Sequence, residues 1–600
     1  MGNTQGAIRI GGGSGFWGDS GLALPQFLKC GDVDYVAFDY LAEITMSILA
    51  RARQKSLEAG YALDFVTQVV GPNLQAIAAT GTKILSNAGG VNPQACGKAI
   101  RALISEAGLN LKVAVVTGDD LTDRAAELRD RREMFTGEPF PDPECVASIN
   151  AYLGAFPIAE ALRGGADIVI TGRCVDSALP LAACVHAFDW PPDAWDRLAA
   201  GSLAGHLIEC GPQACGGNFT DWEAVADSLA EVGYPIAEIN AQGDLVITKP
   251  PETGGQVTRG TVAEQMLYEI SDPRAYTLPD VICDFSEVTI VEQAANRVAL
   301  TGARGRPAPD NYKVSTTFAD GWKIATLWFF IGSDAAQKAL TFARNALRRT
   351  RRQLSQLELP DFTETLVEPF GNEAHYGRFA THTEGREVAI KIAARHPDPK
   401  ALQLLLKEIT GLALAAPPGL ALFSGGRPKP SPVVRLFSLL LPKDRVEIRL
   451  DLDGAGTKHT PANTPLAAES VPEAPGPAKA ADPESDNMIE VPLRALAWAR
   501  SGDKGDSANI GVIPRRLEHA SWIWQALTEQ ELRQRFDHFL TGPVERFYLP
   551  GTGAMNIVLH AVLGGGGIAS LRNDPQGKSY AQLLLDTPVT VPSSLLSTPP

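Results

Sequence analysis

The chain has 600 residues, of which 44% are hydrophobic and 20% charged, ordinary values for a globular protein too long to bury a single core. Its formal net charge of −15 argues against nucleic acid or an anionic membrane surface as the main partner. No apolar run reaches membrane-spanning length and the start shows no secretory pattern, so a cytoplasmic protein is expected, with its irregularly spaced cysteines as free thiols.

The first 180 residues alternate short β-rich runs with polar, glycine-bearing clusters. Ala7–Ile10 leads into GGGSGFWGD, Asp34–Phe38 into DYLAE, and Lys83–Ser86 into NAGGVNP. Lys112–Val116 leads into TGDD and Ala166–Ile170 into TGRCVDSA. Helical stretches such as Asn92–Ala107 follow, which is the rhythm of βαβ units. The fold class predicted is α/β, with a mainly parallel sheet over about 1–280. Its polar clusters should meet beyond the C-terminal strand ends. Residues 281–452 change pattern and read as an α+β extension, with strands at Val288–Val291, Leu327–Phe330, Val434–Leu441 and Arg445–Leu450 and a helix over Ser333–Leu347. The Pro- and Ala-rich stretch 453–487 cannot bury enough apolar surface to fold and reads as a disordered linker. It leaves 488–600 as a small α+β unit, read as strand, glycine-rich loop, helix, strand, helix, strand.

Several clusters could carry chemistry. The Gly11–Asp19 loop, with Gly12, Gly13, Ser14 and Trp17, could cradle a phosphate or carboxylate on backbone N–H groups, or be only a tight turn. Arg173 could clamp a carboxylate with its planar fork, or pair internally with Asp176. Asp39 and Glu43 stand four apart, as do Asp119 and Asp123. Such carboxylates suit acid–base work or Mg²⁺, and the aspartates could also be N-caps. In the segment HLIECGPQACGGNFTDW, His206 to Trp222, several readings stand side by side. His206, Cys210 and Cys215 could bind zinc, but a fourth ligand is not evident. His206 could activate Cys210 as a nucleophile. His206 and Glu209 could transfer protons while Asn218 holds a carbonyl, or the segment could be a structural loop. In the small unit, GDKGDSANIG offers Lys504 as an anion contact, and Arg572 and Lys578 add positive charge further on.

Taken together, the blocks GDVDYVAFDYLAE, SNAGGVNP, ITGRCVDSAL, GHLIECGPQACGGNFTDW and DPRAYTLPDV, with GDKGDSANIGVI and LGGGGIASLRNDPQGKS, resemble the AtuA family, named for acyclic terpene utilization. The resemblance covers most of the chain outside the linker. It implies a large AtuA domain, 1–452, fused to a ferredoxin-like unit, 488–600. It also implies a link to breakdown of citronellol- and geraniol-type compounds, whose later steps run on branched acyl-CoA thioesters. It supplies no settled reaction or catalytic residues. Cys215 stands where other small residues would be tolerated, which disfavours both zinc and a Cys215 nucleophile. The function expected is an enzyme for a branched, isoprenoid-type carboxylic acid or acyl-CoA, acting by hydration/dehydration or carbon–carbon lysis. The alternatives are a thioester or ester hydrolase, or a non-catalytic acyl-ligand-binding subunit. Asp39, Glu43, His206 and Glu209 are the expected proton-transfer groups. Gly12, Gly13, Ser14, Trp17, Arg173, Asp176, Asn218 and Lys504 are the expected substrate contacts. No cofactor is identified, Mg²⁺ would fit and zinc is disfavoured. The partners expected are a small acid or acyl-CoA and further copies of the chain, with neither nucleic acid nor membrane.

Overall fold

The structure is a computed structural model, and it describes residues 6–422, 425–461, 476–478, 487–567 and 569–597. The early apolar runs become β1 (Ala7–Ser14), β2 (Tyr35–Phe38), β3 (Lys83–Ser86), β4 (Val113–Thr117), β5 (Val146–Ala151) and β6 (Ile168–Thr171). Five of them pair in parallel, in the order β1-β2-β3-β6-β4. Successive strand residues point to opposite faces, so Val36, Ile84 and Ile170 enter one core while Ala37, Leu85 and Val169 enter the other. Both faces are therefore apolar and both are covered, as a parallel sheet requires.

The sheet is not mainly parallel, however. Among the described residues it has eleven strands, and outside the five-stranded centre every pairing is antiparallel. On one side β7 (Ile236–Asn240) and β8 (Leu245–Thr248) form a hairpin, followed by the hairpin Thr289–Ala294 and Arg297–Thr301. On the other side lie Ile448–Leu452 and Ala455–His459. The hairpins need only short turns, such as the one where Asn296 adopts φ 58°, and no crossover helix. The βαβ rhythm of the first 180 residues gives no sign of them.

A second, antiparallel sheet of six strands is built on the 21-residue strand β9 (Asn311–Ile331). The far half of β9 pairs with Glu387–His396, and its near half is flanked by Ser431–Pro442 and by β5. Strands from each part of the large region thus serve both sheets. Ala335–Gln356 and Pro399–Leu412 cover the far half of this sheet and bury Phe342, Ala346, Leu402 and Leu405. Three further helices position the site: α1 (Glu43–Lys55), α2 (Trp195–Ile208) and α3 (Arg259–Met266).

Most of the stretch read as a linker, 453–487, lies outside the described residues; its early part, Ala455–His459, is the edge strand noted above. The C-terminal unit has its own core of Leu496, Ile510, Phe536, Ile557 and Leu584. Its element order differs from the expected one. β10 (Ala497–Lys504) turns directly into β11 (Ser507–Pro514), so the expected glycine-rich loop is a tight hairpin. Two helices, two more antiparallel strands (Val544–Leu549 and Ala554–Leu559) and a third helix follow. Among the described residues, no helix is long and apolar enough to cross a membrane.

Candidate active site

The central parallel strands deliver their polar residues to one place. Ser14 ends β1, Asp39 follows β2, Asn87 follows β3, Asp119 lies just past β4 and Arg173 just past β6. Ser14 Oγ donates to the Asp39 carbonyl (3.0 Å), Asn87 Nδ2 to Asp39 Oδ1 (2.5 Å), and the Arg173 backbone N–H to Asp119 Oδ2 (2.8 Å). The GGGS run is the end of β1 and not an open loop. A Cβ on Gly12 would sit 2.1 Å from the Ile208 carbonyl oxygen, and one on Gly13 would sit 2.5 Å from the Phe38 ring. These glycines let α2 and β2 approach the strand. Trp17 donates its indole N–H to Asp64 (2.7 Å) and packs with the helices of one face.

Arg173 is 4% exposed and organises the cluster. Its Nη1 donates to Asp176 Oδ1 (2.8 Å), and its guanidinium lies 4.3 Å from the centre of the Tyr152 ring. The Tyr152 hydroxyl donates to Glu43 Oε1 (2.5 Å). Asp39 lies just before α1, so it shares no helix face with Glu43; Arg173 joins them instead. Their environments push the two carboxyls apart. Burial raises Asp39 well above the usual range, and Asp176 and Glu209 add repulsion that Arg173 and Asn87 offset only in part. Burial alone would raise Glu43 too, but the Lys313 ammonium, Arg173 and the Tyr152 hydroxyl hold it down at about 2. One raised and one lowered carboxyl around a single cation is an arrangement suited to acid–base chemistry.

His206 lies in the last turn of α2 and is 1% exposed. Its Nε2 faces the Met266 carbonyl (3.2 Å), which can only accept, so Nε2 carries a proton. Its Nδ1 faces Glu209 Oε1 (3.0 Å). Burial raises Glu209, against the pull of His206, and its Oε2 is buried without a hydrogen-bond partner. Glu209 therefore has a free oxygen, while His206 is committed at both ring nitrogens. Burial, together with Glu209 and Glu269, raises Cys210 well above an ordinary thiol, and its hydrogen bond goes to Gln265 rather than to His206. Cys215 sits in the apolar core, and burial pushes it up to about 12. Among the described residues, no group of three His, Cys, Asp or Glu side chains is arranged to hold a metal ion.

The rest of this segment binds the C-terminal unit. Arg500 Nη1 donates to the carbonyls of Gly217 (3.2 Å) and Asn218 (3.1 Å), and its Nη2 to Gln213. Thr220 exchanges two 3.1 Å bonds with the Ala499 backbone. Asp221 accepts the Trp498 indole N–H (2.7 Å) and a bidentate fork from Arg515 (2.7 and 2.6 Å). Asn218, at φ 55°, offers its backbone carbonyl to this contact, and its residue is exposed. Deeper in the interface Asn509 Nδ2 donates to the Leu267 carbonyl (2.6 Å) and its Oδ1 accepts from the Glu269 N–H (2.9 Å). Asn556 Nδ2 donates to the carbonyls of Ile270 (2.8 Å) and Ser271 (2.5 Å).

This docking carries charged groups to the large region's cluster. Lys578 Nζ reaches Glu269 Oε1 (2.7 Å), Asp503 Oδ1 (3.1 Å) and the Tyr268 hydroxyl. Burial raises Asp503 to about 6, with Glu269 and, more weakly, Glu43 adding to the rise against the pull of Lys578. Lys504 is exposed, 5.7 Å from the centre of the Tyr276 ring, and lowers Glu269. Tyr152, Asn87, Lys313 and Glu269 are members that motif reading did not single out. Tyr152, Lys313 and Glu269 each stand alone in a stretch of ordinary composition, while Asn87 opens the NAGGVNP cluster.

Asp119 supports the site from behind. Its Oδ2 accepts from the Arg173 N–H and from Asn150 Nδ2 (2.9 Å), and burial raises its pKa to about 7. An unfolded aspartate titrates near 4, so between about pH 4 and 7 the folded state holds a proton that the unfolded state has lost. The stabilisation is fully present below about pH 4 and disappears as pH rises through about 7. Asp119→Asn should therefore make the urea-unfolding free energy less pH-dependent in this window, by up to about 1.4 kcal/mol per pH unit. A pH slope equal to that of the wild type would contradict this assignment.

Fold and site together define a two-sheet α/β chain whose strand-end acidic cluster is met by a C-terminal α+β unit. The model described as acyclic terpene utilisation family protein AtuA matches residues 8–452, and that of the AtuA ferredoxin-like domain matches 491–590. The chain belongs to the AtuA family, whose description fits a catabolic role in acyclic terpene utilisation. No curated protein and no solved structure matches it.

Proposed function

We propose that this chain is an enzyme acting on a branched, isoprenoid-type carboxylic acid or its acyl-CoA thioester, by hydration/dehydration or carbon–carbon lysis. The observation that carries this reading is the buried acidic cluster at Arg173, in which Asp39 and Glu209 are raised while Glu43 is lowered. In the dehydration direction Glu209 takes the proton from the carbon next to the carbonyl. The electron pair left behind forms the double bond, and the hydroxyl departs with the Asp39 proton as water. His206 positions Glu209 and shares its proton. Arg173 and Lys504 hold the anionic or carbonyl end, with Asp176 fixing Arg173. Glu43 stays ionised and anchors Tyr152 beneath Arg173. Trp17 and Asn218 take no part in this reading, because Asp64 engages one and the domain contact the other.

The test is product analysis with branched unsaturated and 3-hydroxy acyl-CoA thioesters. Gain or loss of water, or cleavage into two carbon fragments, supports the reading if Asp39→Asn abolishes it. Release of free CoA as the sole product would replace it with a thioesterase. The thiol observations disfavour that alternative: a Cys210 held protonated is a poor nucleophile. Cys210→Ser is expected to retain wild-type turnover and to trap no acyl adduct.

A further inference from the structure

Behind Arg173, between α1 and the near half of the second sheet, lies a small cavity lined by Glu43, Met46, Tyr152, Arg173, Asn150 and Ser315, among others. It leaves about 10 Å³ for the centre of a water-sized molecule, which is room for one. Three of its lining residues each carry a polar atom buried without a hydrogen-bond partner: Arg173 Nε, Asn150 Oδ1 and Ser315 Oγ. Their residues are 4%, 2% and 6% exposed. Leaving such atoms unpaired is unfavourable for each of them, so three around one cavity call for a guest.

The fold brings these atoms together by independent routes. Asn150 and Ser315 are directly opposed in the β5–β9 pairing and so share a face. Asn150 Nδ2 and the Arg173 backbone N–H meet at the same oxygen of Asp119. The neighbouring hydroxyls of Ser148 and Thr317 bond each other at 2.7 Å, which leaves one of their two protons free to donate.

The three open atoms also select the guest. Arg173 Nε–H can only donate, Asn150 Oδ1 can only accept, and Ser315 Oγ can do either. A halide accepts only, so it would leave Asn150 unsatisfied and face its oxygen. An ammonium ion donates only, and it would meet the guanidinium head on. Water both donates and accepts, and buried waters typically make about three hydrogen bonds. We infer that this cavity is a binding site for one water molecule, which ties Arg173 to Asn150 and Ser315 and fixes the guanidinium with Nη1 on Asp176. The cavity and its open atoms make the same demand whatever reaction the site performs.

A crystal structure of the full chain, at a resolution where buried waters are seen, tests it. One peak is expected within hydrogen-bonding reach of all three atoms. Ser315→Ala should keep the peak, while Ser315→Val, whose second methyl group fills the cavity, should lose it and let the Arg173 fork move. Three results would overturn the inference. The cavity could be empty while other buried waters are visible. The three side chains could turn to bond one another directly. A bromide soak could place an anomalous peak in the cavity. If Ser315→Val does not fold, the wild-type and Ser315→Ala structures decide the matter alone.

Discussion

Arg173→Met is expected to destabilise the fold by about 3–5 kcal/mol, the cost of leaving buried charges without their partner. Glu43 and Asp176 would lose the cation they face, while Asp119, bonded to the Arg173 backbone N–H, would keep that contact. Tyr152 would lose the guanidinium stacked on its ring. Met has similar length and no charge, so the loss reports on electrostatics more than on volume. Arg173→Lys restores the charge but neither the fork nor the flat stacking surface, and should fall between the two. Urea unfolding at neutral pH measures both. Turnover by Arg173→Met should fall by at least about 10²–10³-fold, the usual loss when one preorganised charge-stabilising donor is removed. A variant within error of the wild type in both readouts would mean that Arg173 is neither the structural nor the chemical centre of the cluster.

The second large effect is expected at the domain contact. Asn556 is fully buried and its amide serves two carbonyls of the large region, at Ile270 and Ser271, while its oxygen accepts from Asn509 Nδ2. Asn556→Ala removes this partner from both carbonyls and from one Asn509 N–H, at about 1–3 kcal/mol for each group left unpaired and kept from water. Asn556→Asp should be at least as harmful, since a carboxylate would face two carbonyl oxygens. The C-terminal unit keeps its own apolar core, so the expected outcome is undocking rather than unfolding of that unit. Small-angle scattering should show a larger radius of gyration, and protease should cut between the units more readily. Turnover should fall with docking, because Lys578 and Asp503 reach the cluster only through this contact. Full activity in an undocked variant would remove the C-terminal unit from the site.

Some of this architecture is legible in the sequence for physical reasons. A strand buried on both faces is a short apolar run, and the residues just after it lie at the sheet's edge, so Asp39 and Arg173 could be placed from local pattern alone. The sheet's composition could not. Nothing near Val146–Ala151 or Ile448–Leu452 records that the first joins β9 and the second joins β4, because strand pairing is decided by distant partners. The same limit explains the segment from His206 to Trp222. Its density of polar groups and glycines is plain in the sequence, but Arg500, which takes the Gly217 carbonyl, lies 283 residues further along. A surface shaped for another domain and a surface shaped for a substrate look alike in one dimension. His206 and Glu209, at the segment's start, belong to the cluster, while Gln213, Gly217, Asn218, Thr220 and Asp221 hold the C-terminal unit in place.

A proton-transfer site centred on Asp39 and Glu209 should catalyse solvent exchange at the carbon next to the carbonyl, a readout that needs no knowledge of the full reaction. Branched acyl-CoA thioesters would be incubated with the full-length protein in D₂O and deuterium incorporation followed by mass spectrometry. Incorporation is expected with the wild type and its loss in Glu209→Gln, while Asp39→Asn should lose the incorporation that accompanies hydration of an unsaturated thioester. Exchange that persists undiminished in both variants, or no exchange by a folded wild-type protein across the thioester series, would contradict a proton-transfer role for this pair.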